Sequence, residues 1–264
     1  MARHPYRRLR AAQPSLPEVG ISEEGNIRSL HLGSSTIQSA MNLERPDELV
    51  LSYSRAMMAW LLFADAPAHI TQIGLGGGSF ARWIDARLPH TRQTAVDINP
   101  QVIAVARSLF KLPSEEDGRF EIIEADGAQY IKTVCGGTDI ILTDGFDGEQ
   151  IIESLVGEEF FLDCRRALSE NGIFAANWWG GDRRYPKFIE TLLSAFEGRV
   201  LEVPAESHGN VAVFAFQKAP REQRFEALKK RADELGGQYG LDFRRMLSDI
   251  KAANPNNGKT LYLS

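Results

Sequence analysis

The chain has 264 residues, 43% hydrophobic and 25% charged, with a formal net charge of −5. That length buries a full core and fits one α/β domain with an appendage, and the charge balance has no basic surplus to favour nucleic acid as a partner. No apolar run reaches the ~18 residues of a membrane span; Cys135, Cys164 and five scattered histidines form neither a CxxC pair nor a Cys/His cluster, which points to a cytoplasmic protein with reduced thiols and no metal site.

Residues 1–20 are Arg-rich and contain proline, with no apolar run behind them, so they read as a disordered basic tail rather than a secretory signal. Residues 21–46 alternate in short runs broken by EEGN and GSS, the pattern of a small β-hairpin or meander domain. "RPDELVLSYSRAMMAWLLF" then predicts a helix whose apolar cluster, Met57, Met58, Trp60, Leu61 and Leu62, belongs to the core. This helix opens a Rossmann-like domain over residues 47–218.

From Ile70 the pattern repeats as strand, turn and helix. Strands are expected at Ile70–Gly74, Gln93–Asp97, Phe120–Glu124, Asp139–Thr143 and Gly172–Asn177. The helices between them are expected at Phe80–Arg87, Pro100–Phe110, Gly127–Thr133 and Gly157–Leu168. Such alternation predicts a doubly wound, mostly parallel α/β sheet. A helix at Tyr185–Phe196 and an antiparallel edge hairpin of Val200–Val203 and Val211–Gln217 complete it. Residues 219–264 read as an extension of two amphipathic surface helices, the first closed by Gly236-Gly237.

The polar residues fall on one rim of this map, because an open parallel sheet binds ligands beyond the carboxyl ends of its strands. The first strand ends in Gly74, Gly76, Gly77, Gly78 and Ser79, the second in Asp97, the third in Asp126-Gly127, the fourth in Asp144 and Asp147. Glycines let a ligand approach main chain where a Cβ would clash. An acid about twenty residues later suits ribose hydroxyls, and Asp126 suits the base. The turn is not GxxxxGK[ST], so it is no P-loop. The acids favour an adenosyl sulfonium, which has no pyrophosphate to hold. Trp178-Trp179 either walls an acceptor channel or packs against the C-terminal segment, His208 reads as an exposed turn residue, and Glu153 as a brace for the loop.

The ordered series "LGGGSF", "AVDIN", "RFEIIEADGAQYI" and "TDIILTDGFDGEQIIESL", with "STIQSAM…DEL…YSRAMM" before it, resembles the spermidine/spermine synthase (polyamine aminopropyltransferase) family over Ile21 to Gln217. The resemblance implies that Gln38 touches the nucleoside and that Gly76, Gly77 and Gly78 form the cofactor turn. It implies Asp97 on ribose, Asp126 and Gly127 on adenine, and Asp144 as the catalytic carboxylate. Asp147, Ser79 and Tyr53 fall on the amine side. The implied donor is decarboxylated S-adenosylmethionine, a co-substrate rather than a tightly bound cofactor. The implied partner is a small-molecule amine, and the implied assembly a homo-oligomer such as a dimer.

The departures concentrate in the amine pocket. Ser79-Phe80 stands where the family has Asp-Gly, Gly148 replaces the Pro after the second loop acid, and Gln150-Ile151 replaces a Gly-Pro. Ser54 stands in place of a His, and "VPAESHGNVAVF" carries Glu206 and His208 but no Tyr. Three readings stay open: an aminopropyltransferase with an altered acceptor, an S-adenosylmethionine-dependent methyltransferase on the same fold, and a nucleoside-binding homologue without catalysis.

Overall fold

Three alternating runs pair as an antiparallel meander, β1 (Val19–Glu24), β2 (Ile27–Leu32) and β3 (Ile37–Asn42). The computed structural model describes residues 16–146 and 151–263. β1 starts inside the segment expected to be tail, since Val19 and Gly20 pair with Leu32 and His31; residues 1–15 of that tail lie outside the described residues. β3 carries a bulge. Leu30 faces Ser39 and His31 faces Ile37, which leaves Gln38 as the extra residue, a device that re-aims a side chain.

The single helix expected over 45–63 is instead a short α1 (Ser52–Ala56) that tightens into a 3-10 turn at Met57–Leu62. Every residue of that turn is buried. A segment apolar all round is held by packing on all sides, not by one amphipathic face. The Arg55 guanidinium satisfies the carbonyls of Leu49 and Val50 at 3.0 and 2.7 Å.

The expected alternation follows as β4 (His69–Ile73), α2 (Ser79–Arg87), β5 (Arg92–Asp97), α3 (Pro100–Leu109) and β6 (Phe120–Glu124). It continues through α4 (Gly127–Ile131), β7 (Thr138–Thr143), α5 (Glu158–Ala167) and β8 (Leu168–Trp179). α6 (Tyr185–Ala195), β9 (Val200–Pro204) and β10 (Asn210–Phe216) close the sheet. Its order is β6-β5-β4-β7-β8-β10-β9, with β4 through β8 parallel and β10 antiparallel to both neighbours. β8 outruns its expected span because Leu168 pairs with Thr138 across a register irregularity.

Alternation sends successive side chains to opposite layers. Ile140 and Leu142 join one buried cluster and Ile141 the other. The first layer is closed by α7 (Phe225–Tyr239) and α8 (Phe243–Ala253), which bury Phe225, Leu228, Leu235, Phe243, Leu247 and Ile250. These helices are therefore part of the core. α7 also runs through Gly236-Gly237 and stops at Gly240, which takes the left-handed conformation at φ 70°.

Gly237 is an exposed helix-interior glycine, and a β-carbon there meets nothing within 4 Å. Gly237→Ala should raise stability by about 0.5–1 kcal/mol, read as a higher urea midpoint at unchanged slope.

Candidate active site

β4 leads into β5 on one side while β7 pairs on the other, so the strand order reverses between β4 and β7. That switch point is where a crevice opens beyond the strand ends. A cleft open to solvent lies there, at the place where such sheets bind small ligands. Gln38, Tyr53, Gly76, Ser79, Asp97, Asp126, Gly127 and Asp144 all line it, with the backs of Val96 and Ile98 and the loop at Ile152–Leu155. Asp147, expected beside Asp144, lies outside the described residues.

The glycine turn divides into two roles. Gly74, at φ 93°, passes so close to β7 that a β-carbon would sit 2.2 Å from the Asp144 carbonyl oxygen. Gly76, at φ 51°, lines the cleft. Gly77 and Gly78, expected in the cofactor turn, are tightly packed on their other side. A β-carbon on Gly77 would lie 2.7 Å from the Phe110 ring and one on Gly78 2.1 Å from Leu112. Neither residue lines the cleft. Arg82, which the sequence reading passed over, braces this turn. Its buried guanidinium donates to the Gly77 carbonyl, to Phe110 O at 2.8 Å and to Pro46 O at 2.6 Å. Burial lowers its pKa to about 10.

Each acid is held differently. Asp97 accepts from the Leu75 amide and the Asn99 amide, both at 2.9 Å. Burial raises its carboxyl above the ordinary 3.8, and the backbone donors of Asn99, Leu75 and Gly76 oppose this. Asp126 caps α4, its Oδ1 accepting from Ala128 N at 2.8 Å and Gln129 N at 3.2 Å. Among the described residues Asp144 is met by side-chain donors. Its Oδ1 accepts from Asn177 Nδ2 at 3.0 Å, burial raises its carboxyl above 3.8, and the Asn177 hydrogen bond and the neighbouring Tyr53 hydroxyl pull it part of the way back.

Tyr53 reaches the cleft from α1 and donates to Gln38 O at 3.0 Å. Burial and the neighbouring Asp144 charge hold its phenol well above the ordinary 10.0, so it stays protonated. Ser79 bonds the Ser39 hydroxyl at 3.2 Å and Ala40 O at 3.3 Å, tying the start of α2 to β3. No Lys or Arg lines the cleft among the described residues. The charged side chains that line it among the described residues are Asp97, Asp126 and Asp144, a field suited to a cation.

Other expectations resolve against this geometry. Trp178 is buried against Phe161, Tyr185 and Phe188, whereas Trp179 is 49% exposed and packs on Gly181. His208 sits at φ 67° in an exposed turn and bonds Ser207 at 2.7 Å. Glu206 pairs with Arg55 and Arg245 at 3.0 Å each. Glu153 begins a 3-10 turn whose Leu155 covers Gly145. Asn177 was missed, although a polar residue closing the apolar run "IFAA" marks the same rim as the acids.

A Spermine/spermidine synthase domain model matches residues 50–178. A curated polyamine aminopropyltransferase of Neisseria meningitidis serogroup A is 73% identical over 264 residues, covering 100% of both chains. The chain belongs to the polyamine aminopropyltransferase family. A Chromobacterium violaceum member is 62% identical over 98% of this chain and 100% of that relative. A crystal structure described as a probable spermidine synthase from Corynebacterium glutamicum shares the fold, with TM-score 0.69, 19% identity, and coverage of 93% of this chain and 95% of that one.

Asp144 has a stability signature of its own. Its native carboxyl holds a proton more tightly than the unfolded one, so ionisation costs the native state stability as pH rises from the unfolded value of 3.8 through the native value. Asp144→Asn removes this cost. Its melting temperature should match or exceed that of the unsubstituted protein at neutral pH, and the gap should close as pH falls toward the unfolded value; a gap that widens on acidification would overturn the assignment.

Proposed function

We propose that this cleft binds decarboxylated S-adenosylmethionine and transfers its aminopropyl group to a small amine, releasing methylthioadenosine. The observation that carries the reading is the buried Asp144 carboxylate, which lies across the strand switch from the glycine turn and the Asp97 and Asp126 ends. The 73% identity along the whole chain to a curated polyamine aminopropyltransferase supports it. Gln38 and the main chain at Gly76 contact the nucleoside, Asp97 the ribose, and Asp126 with Gly127 the adenine. The described lining has no cation to oppose a sulfonium.

An alkylammonium with a pKa near ~10.4 must lose its proton before it attacks. Asp144 holds that cation in line with the C–S bond and takes the proton, which frees the nitrogen lone pair that then forms the N–C bond. The C–S electron pair leaves with sulfur as a neutral thioether. Burial suits Asp144 to this step, because a raised carboxyl pKa makes a stronger base. Tyr53, protonated beside it, and Ser79 line the amine side, and Asp147 supplies the second anchoring acid. In this reading the enzyme is a cytoplasmic homodimer acting on small molecules. No helix among the described residues is long and apolar enough to cross a membrane.

Mass spectrometry on purified protein fed either S-adenosylmethionine or its decarboxylated form, with a panel of amines, separates the readings. Methylthioadenosine is the expected product. S-adenosylhomocysteine would mark a methyltransferase, and neither product with nucleoside binding intact would mark a non-catalytic homologue. Asp144→Asn should lose turnover by about 100-fold or more while retaining methylthioadenosine affinity; full turnover in that variant would remove Asp144 from the chemistry.

A further inference from the structure

Asp144 stands at the end of a side-chain chain that crosses two strands. Asn177, 4% exposed, gives Nδ2–H to Asp144 Oδ1 at 3.0 Å and accepts at its own Oδ1 from Asn210 Nδ2, also at 3.0 Å. The sheet register builds this alignment. Thr143 pairs with Ala176 in the parallel β7–β8 ladder, so the next residues, Asp144 and Asn177, follow in step. Across the antiparallel β8–β10 ladder Asn177 faces Ala212, and Asn210 lies two residues away on the same face.

A carboxamide has a donor end and an acceptor end, so the chain has polarity. While Asn210 donates to Asn177, the amide of Asn177 must turn its N–H toward Asp144. Reversing Asn177 would set its oxygen against a carboxylate and its nitrogen against the Asn210 nitrogen. We propose that Asn210, acting through Asn177, is a positioning residue that commits Oδ1 of Asp144 to accepting a hydrogen bond and leaves Oδ2 as the oxygen that takes the substrate proton. The proposal rests on the reading of Asp144 as the base. In the transfer step the ammonium N–H bond breaks, the Oδ2–H bond forms, and the amide chain holds its polarity.

The titratable neighbour of Asp144 is Tyr53 from α1, whose hydroxyl proton goes to Gln38 O. Across the cleft stand Asp97 and Asp126 at the ends of β5 and β6. In the β9–β10 loop, His208 is bonded to Ser207, and Glu206 to Arg55 and Arg245. None of the loop groups is bonded to the Asn chain, so the amide polarity can be inverted without replacing a charge that faces Asp144.

Asn210→Asp does this. A carboxylate at 210 accepts only, so Asn177 turns its N–H outward and its oxygen toward Asp144, which then ionises less readily. Turnover at neutral pH should fall about tenfold or more, the acid limb of the kcat profile should move to higher pH, and donor KM should stay within about a factor of two. Asn210→Leu, similar in size and uncharged, should lose less and move the acid limb less; it also keeps the test open if the Asp variant fails to fold. A difference infrared titration against Asp144→Asn reads the carboxyl directly, without turnover, so an inactive protein would sink the proposed reaction and leave the relay testable. Matching carboxyl titrations in the unsubstituted protein and both folded Asn210 variants would overturn the relay, as would a loss confined to KM.

Discussion

The close crossing of two strand ends governs the rest of the molecule. Gly74 N donates to Val96 O at 2.8 Å and Asp144 N donates to Ile73 O at 2.8 Å, so the ends of β5, β4 and β7 are joined by main chain alone. A β-carbon at Gly74 would lie 2.2 Å from the Asp144 carbonyl oxygen, and its φ of 93° is one that side chains rarely adopt. Only glycine permits both. The spacing between the cofactor turn and the carboxylate is thereby set by backbone geometry rather than by side-chain rotamers, the kind of rigid support a reacting pair needs.

Around that crossing, three carboxylates share one cleft and differ in what solvates them. Backbone amides occupy both oxygens of Asp97, and helix capping occupies Oδ1 of Asp126. Those bonds favour charge and fix geometry, as befits groups that hold a ligand. Among the described residues Asp144 is met by side-chain donors, and burial outweighs them. Environment separates their chemistry although the residue type is the same, the logic by which paired carboxylates take distinct roles.

The period of the apolar runs made the parallel sheet legible, and the rim rule then picked out Asp97, Asp126 and Asp144. Three features escaped for identifiable reasons. The need for glycine at Gly77 and Gly78 comes from Phe110 and Leu112, partners more than thirty residues away that no local pattern names. The helix expected at 45–63 failed because burial on every side let tertiary packing override helical preference. α7 passes through two glycines because Leu228, Ala232 and Leu235 bury one face against the core, which outweighs about 1 kcal/mol of propensity per glycine.

The C-terminal helices matter to the site through a path that the sequence order hides. Arg245 on α8 and Arg55 on α1 both pair with Glu206, and Ser52 bonds the Ser207 hydroxyl at 2.8 Å. Asn254, at the end of α8, both donates to and accepts from the main chain of Glu202 at 2.7 and 2.8 Å. Each exposed ion pair is worth about 0–1 kcal/mol by itself. Their arrangement counts for more than their sum, because α1 carries Tyr53 and the β9–β10 loop leads into Asn210. Tyr53 beside Asp144 and Asn210 behind Asn177 are thus anchored to the same helix. Loosening α8 would disturb the hydrogen bonding of the carboxylate without touching any residue of the cleft.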